Sequence, residues 1–183
     1  FQGQEVAAVI ADDPYIAKDA CQAIVVEYEQ LPVIVNPFQA MESGSEVIRD
    51  DKENQSGNKI FDWEIGDKAA TDKAFAEADV ISKMELHYPR SHPSPMETCG
   101  SIADFNRATG KLTVYMTSQA PHIVRAAVAM VAELPEHMIR IVSPDLGGGF
   151  GNKVPVYPGY VISILASILT EVPVKWIEDK TGN

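Results

Sequence analysis

The chain has 183 residues, 45% hydrophobic and 22% charged, which supports a packed core in one ordinary domain or two small ones. A formal net charge of −11, from 15 basic and 26 acidic residues, argues against binding a nucleic-acid backbone, which needs clustered Lys and Arg. The two cysteines, Cys21 and Cys99, lack CxxC spacing and argue against a disulfide framework or zinc site, and no apolar run reaches the ~18 residues of a membrane span.

In chain order, Glu5 to Ala11 is β-like. A helix should follow, with Asp13 as N-cap, Pro14 at its first position, and Ile16, Ala20, Ala23 and Ile24 near one face. Residues 25–35, "VVEYEQLPVIV", return to extended structure, so residues 1–41 read as β-α-β with an extended arm. Residues 42–59 are polar and read as an exposed linker. Residues 67–79 form a short helix candidate, and Val80 to His87 looks like a strand. The three prolines of "YPRSHPSPMETCG" rule out regular structure through its middle. The abrupt ends predict a piece of a longer polypeptide.

From Gly100 onward the pattern is α/β. "SIADFN" and "KLTVYMT" are strands joined by the hairpin-like turn "RATG". Residues 121–134 form a helix with apolar spacing at Ile123, Val124, Ala127, Met130 and Val131. "MIRIVSP" is a strand, residues 156–171 an apolar buried helix, and "VPVKWIE" a last strand.

Between that strand and that helix lies "DLGGGFGNK". Glycine permits positive φ and lets backbone N–H groups come close to a ligand. Neither phosphate pattern fits, because Asn152 precedes Lys153 where a P-loop needs Gly, and Asn152 occupies the last glycine of a G-x-G-x-x-G frame begun at Gly147. A tight turn would explain some of the glycines. Four of them flanking one Phe favour close ligand approach. Gln119, at a strand-to-helix junction, offers an amide where α/β folds place ligands, although on the residues alone an ordinary cap region, with Thr117 or Ser118 capping the helix, is the stronger reading. His87, His92, Glu97 and Cys99 match no zinc spacing; Glu97 reads as a structural hydrogen-bond partner and Cys99 as a small core residue, and His122 and His137 as surface or capping residues.

Taken together, these segments resemble the molybdenum hydroxylases, the xanthine oxidase family. Residues 3–41, "GQEVAAVIADDPYIAKDACQAIVVEYEQLPVIVNPFQAM", are similar to that family's hammerhead domain. "HPSPMETCGSIADF", "TSQAPHIVR", "LPEHMIRIVSPDLGGGFGNK" and "VPVKWIED" match, in order, the first part of its molybdenum-cofactor domain. The Asn-Lys after Gly-Phe-Gly and the following "VPVYPGY" are most similar to large catalytic subunits of the aerobic carbon monoxide dehydrogenase type.

The resemblance implies an α+β fold with a partial hammerhead domain at 1–41, a connecting segment at 42–79 and the start of a cofactor-binding domain at 80–183. It implies that Gln119 approaches the equatorial oxo face of molybdenum and that Gly148, Gly149, Phe150 and Gly151 wrap a molybdopterin cytosine dinucleotide, with Phe150 walling the substrate pocket. Gly149 is expected at positive φ, so that a β-branched replacement would block cofactor insertion. The implied activity is oxidation of carbon monoxide with water to carbon dioxide. Electrons would pass to iron–sulfur and FAD partner subunits, in the cytoplasm or at the inner membrane face. The family's copper-binding cysteine and general-base glutamate belong to motifs beyond residue 183, so no metal ligand is assigned here and Cys99 does not take the copper role. Two alternatives stand: an aldehyde or N-heteroaromatic hydroxylase on the same scaffold, and a non-catalytic α/β nucleotide-binding module.

Overall fold

A computed structural model describes residues 3–49 and 57–181. The polar linker read over 42–59 lies in part, at 50–56, outside the described residues. The chain divides into two compact units, Phe1–Val25 with Pro89–Asn183, and Val26–Tyr88.

In the first unit, α1 (Pro14–Gln22) starts as its sequence requires. Asp13 is the N-cap, and its Oδ1 accepts from the backbone N–H groups of Tyr15 at 2.8 Å and Ile16 at 2.9 Å. β1 (Gly100–Asn106) and β2 (Lys111–Met116) form the expected antiparallel hairpin. α4 (Pro121–Ala132) crosses from β2 to β3 (Ile139–Val142), which pairs parallel to β2. α5 (Pro158–Thr170) then returns to β4 (Val174–Ile177), antiparallel to β1, and the sheet order is β3-β2-β1-β4.

Strand alternation decides what is covered. Ala103, Leu112, Val114, Met116 and Ile139 point to one face and pack with Val124 and Val128 of α4 and Tyr160 and Ile164 of α5. Alternate positions Ile102, Tyr115 and Ile177 lie on the other face and are 41%, 51% and 58% exposed. Small residues let α5 lie close to the sheet. Ser163 Oγ lies 2.8 Å from Ser101 Oγ, and Ser167 Oγ accepts from the Phe105 N–H at 3.0 Å. The Tyr160 ring meets Trp176 edge-on with centroids 5.3 Å apart. The Tyr160 hydroxyl donates to the Thr117 carbonyl at 2.9 Å and also meets Thr117 Oγ1 at 2.9 Å. Tyr160→Phe should therefore lower unfolding free energy by about 1–3 kcal/mol, read from urea melts, because it strands partly buried oxygens without a donor.

In the second unit, α2 (Pro37–Ala40) and α3 (Lys68–Ala76) are short and bury no residue. Asn58 organises the loop between 40 and 48: its Oδ1 accepts from the Ile48 N–H at 2.7 Å, and its amide donates to the carbonyls of Ala40 and Glu46 at 2.9 and 2.8 Å. The helix read over 67–79 is α3, capped by Asp67.

Three strand expectations are corrected. Residues 5–11, 25–35 and 80–87 are not in any strand. Their composition suits a pleated, half-buried surface, yet among the described residues no paired neighbour supplies a hydrogen-bond ladder. Val25, Val35 and Val80 stand 88%, 87% and 84% exposed. The cap expectation for α4 is corrected too. Ala120 occupies the N-cap position without a side-chain bond, while Ser118 Oγ accepts from the Ala120 N–H and Thr117 Oγ1 from the Gly100 N–H.

Candidate functional site

Topology brings three loops to one edge of the sheet. β2 and β3 are parallel, so their carboxyl ends release residues 117–120 and 143–153 side by side. β1 runs antiparallel to β2 with Ser101 opposite Met116, so the segment entering β1, residues 95–99, arrives at the same edge. Loops at the carboxyl ends of parallel strands are where such sheets place ligands. Ser143 Oγ donates to the Ser118 carbonyl at 2.7 Å and ties two of these loops together.

The glycine run is held at both ends. At its start, the Gly147 N–H donates to Glu97 Oε2 at 2.9 Å, and the Glu97 N–H donates to the Gly147 carbonyl at 3.2 Å. At its end, Gln119 Oε1 accepts from the N–H groups of Gly151 at 3.1 Å and Lys153 at 3.2 Å. Two N–H donors can be met only by the carboxamide oxygen, so the Gln119 amide is fixed with its NH2 group turned away from them. Among the described residues that NH2 group has no protein acceptor.

Between these clamps the backbone changes hand repeatedly. Gly148, Phe150 and Gly151 have φ of 99°, 52° and 88°. The expected positive φ at Gly149 is corrected: Gly149 is absent from the positive-φ glycines. What requires glycine there is proximity, because a Cβ on Gly149 would lie 2.4 Å from Gln119 Cδ. A Cβ on Gly147 would likewise lie 2.5 Å from Glu97 Cβ. The N–H groups of Gly148, Gly149 and Phe150 have no acceptor among the described residues. Successive free amides on a backbone of this kind make a concavity for anionic or strongly polar oxygens. Phe150 is 75% exposed although aromatic, and a non-glycine residue at positive φ is strained.

All five sequence-predicted site residues, Gln119, Gly148, Gly149, Phe150 and Gly151, thus fall on two adjoining loops. Glu97 makes the structural hydrogen bonds expected of it. Its main partner was not foreseen from sequence. The Lys153 side chain is fully buried, and its Nζ lies 2.6 Å from Glu97 Oε2. Lys153 stands just past the glycines, and nothing in its neighbours marks it as buried. Tyr157 was also missed; its hydroxyl donates to the Asn152 carbonyl at 2.6 Å and braces the loop's exit.

The Lys153 ammonium holds the Glu97 carboxyl below its usual value of 4.5, against a weaker opposing push from burial, with help from the Gly147 N–H. The sign follows: a depressed value means that Glu97's hold on Gly147 is complete above the ordinary carboxylate range and is lost as pH falls through the lowered value. The Gly147 amide proton shift should therefore titrate with a midpoint below 4.5, and the transition should vanish in Glu97→Gln.

Cys99 is buried as a core residue. Burial pushes its thiol upward, which keeps it protonated and disfavours metal ligation. Among the described residues no three His, Cys, Asp or Glu side chains gather at metal-binding distance. His87, His92, His122 and His137 are all exposed. A cleft of about 260 Å³ lies by Glu97, Cys99, Ile102, Tyr115 and Ile177, and contains neither Gln119 nor a residue of the glycine run. No described helix is long and apolar enough to cross a membrane.

Residues 51–183 match the family model described as the molybdopterin cofactor-binding domain. The whole chain is 53% identical to the carbon monoxide dehydrogenase large chain of Hydrogenophaga pseudoflava and covers 24% of that protein. A crystal structure of the Cu,Mo-CO dehydrogenase in its carbon monoxide reduced state superposes with a TM-score of 0.85 at 48% identity, over 94% of this chain and 23% of that one. Quinoline 2-oxidoreductase from Pseudomonas putida 86 superposes with a TM-score of 0.78 at 32% identity, over 94% of this chain and 21% of that one. The chain spans about a quarter of the length of these relatives.

Proposed function

Because this chain belongs to the molybdopterin cofactor-binding domain family, within the xanthine oxidase family, we propose that it forms the cofactor-holding region of a molybdenum-dependent catalytic chain that oxidises carbon monoxide with water to carbon dioxide. The observation that carries this reading is the paired geometry of Gln119 and the glycine run. One carboxamide oxygen gathers the far end of the loop, leaving its NH2 group and three consecutive loop amides free as donors.

Those residues suit a pterin cofactor rich in oxygen and nitrogen acceptors. Gly148, Gly149 and Phe150 would donate their N–H groups to it, and the missing side chain of Gly149 lets the loop lie directly against the Gln119 carboxamide. Gln119 Nε2 would donate to an oxygen at the metal end. Phe150, exposed and held at positive φ, would become the apolar wall against the substrate and limit water there. When bound, the cofactor supplies the two-electron oxidation that turns carbon monoxide and water into carbon dioxide and two protons. We assign the cytosine dinucleotide form to it, copper to a cysteine elsewhere in the complete enzyme, and iron–sulfur clusters and FAD to partner subunits in the cytoplasm. The carbon monoxide dehydrogenase structure supports that substrate over the quinoline-type alternative, with 48% against 32% identity over the same share of this chain.

The test uses the intact protein expressed in a cofactor-competent host. Elemental analysis should find about one molybdenum per chain, acid hydrolysis should release a cytidine nucleotide, and carbon monoxide should bleach an artificial electron acceptor. Molybdenum with turnover of an aldehyde or N-heteroaromatic alone would transfer the chain to the hydroxylase alternative. Absence of molybdenum would overturn the reading.

A further inference from the structure

Among the described residues Lys153 is the one charged side chain that is buried. An ammonium is costly to bury and needs a partner of good geometry. Its partner is Glu97 Oε2 at 2.6 Å, and the same oxygen accepts from the Gly147 N–H at 2.9 Å. The backbone of Lys153 faces the other way. Its N–H donates to Gln119 Oε1 at 3.2 Å, and its carbonyl accepts from the Gln119 N–H at 2.9 Å. One residue thereby joins the two clamps of the glycine run, Glu97 at the start and Gln119 at the end.

We propose that Glu97 and Lys153 are positioning residues: their buried ion pair sets the glycine run and the Gln119 carboxamide in the conformation that receives the cofactor. The proposal rests on the reading that this loop holds a cofactor. The geometry also predicts an asymmetry. Without Glu97, the Lys153 ammonium is left buried without its ion-pair partner. Without Lys153, Glu97 keeps the Gly147 N–H and, with its side chain 40% exposed, also keeps water.

The experiment compares Glu97→Gln, Lys153→Met and the double variant in the intact protein, by amide hydrogen exchange over residues 147–153 and by molybdenum content. Glu97→Gln should speed loop exchange by about tenfold or more, Lys153→Met by about threefold, and the double variant should recover part of the larger loss because no buried charge remains unpaired. Exchange in β1 and β2 should stay within about twofold of the parent. Molybdenum content should fall in the same order. Loop exchange indifferent to Glu97→Gln, or equal acceleration of loop and strands without recovery in the double variant, overturns the proposal. A parent protein that holds no molybdenum but shows the asymmetric exchange keeps the clamp and defeats the cofactor reading instead. A parent that holds molybdenum with an insensitive loop defeats the clamp alone.

Discussion

Gly149→Val is expected to reduce the molybdenum content of the intact protein by about tenfold or more while leaving the fold within about 1–3 kcal/mol of the parent. The new Cβ would fall 2.4 Å from Gln119 Cδ, 2.5 Å from Oε1 and 2.8 Å from Nε2. Those atoms end a flexible side chain, so the chain can relieve the clash by moving Gln119 instead of unfolding. The move is not neutral. Gln119 Oε1 would have to leave the N–H groups of Gly151 and Lys153, and the far clamp of the loop would open. Gly149→Ala places the same Cβ and should share the sign. Gln119→Ala in the Gly149→Ala background should restore stability by vacating the contact, yet leave molybdenum low. Full molybdenum in Gly149→Val would refute this account of the loop.

The largest effect on stability is expected at Gly159, in the first turn of α5. A Cβ there would lie 2.1 Å from Trp176 Cε2 and 2.4 Å from Cδ2 and Cζ2. Replacing a helical glycine with Ala ordinarily gains up to about 1 kcal/mol. Here overpacking against a rigid indole should outweigh that gain and cost about 3 kcal/mol net. The indole cannot retreat easily, since Tyr160 holds it edge-on at 5.3 Å and β4 pairs with β1 behind it. Chemical denaturation of Gly159→Ala measures the loss, and Gly159→Ala with Trp176→Leu should regain part of it. A single variant as stable as the parent would show that α5 and β4 are not packed as described.

Much of the second half of the chain was legible because its signals were local. The "RATG" turn between alternating runs predicts the β1–β2 hairpin, and apolar spacing predicts α4 and α5. The strand-like first segments show where composition stops short. Val25 and Val35 suit a strand in isolation, but a strand exists only where another backbone answers its N–H and C=O groups. The α4 start also misled, because Ser118 spends its hydroxyl on Ala120 and Thr117 on Gly100 and Tyr160.

By itself, the order of residues determined that a glycine run follows a strand and precedes an apolar helix, that the run misses both phosphate fingerprints, and that its neighbours are those of the molybdenum hydroxylases. These properties are linear, carried by residue type and spacing along one stretch of chain. Tertiary structure alone decided why Gly149 must be glycine and which partners Glu97 and Lys153 meet. Gly149 answers to a side chain 30 positions earlier and Lys153 to one 56 positions earlier, both brought near by the parallel pairing of β2 with β3 and the antiparallel entry of β1. Steric exclusion and ion pairing act over a few ångströms of space, and sequence separation carries no record of that distance.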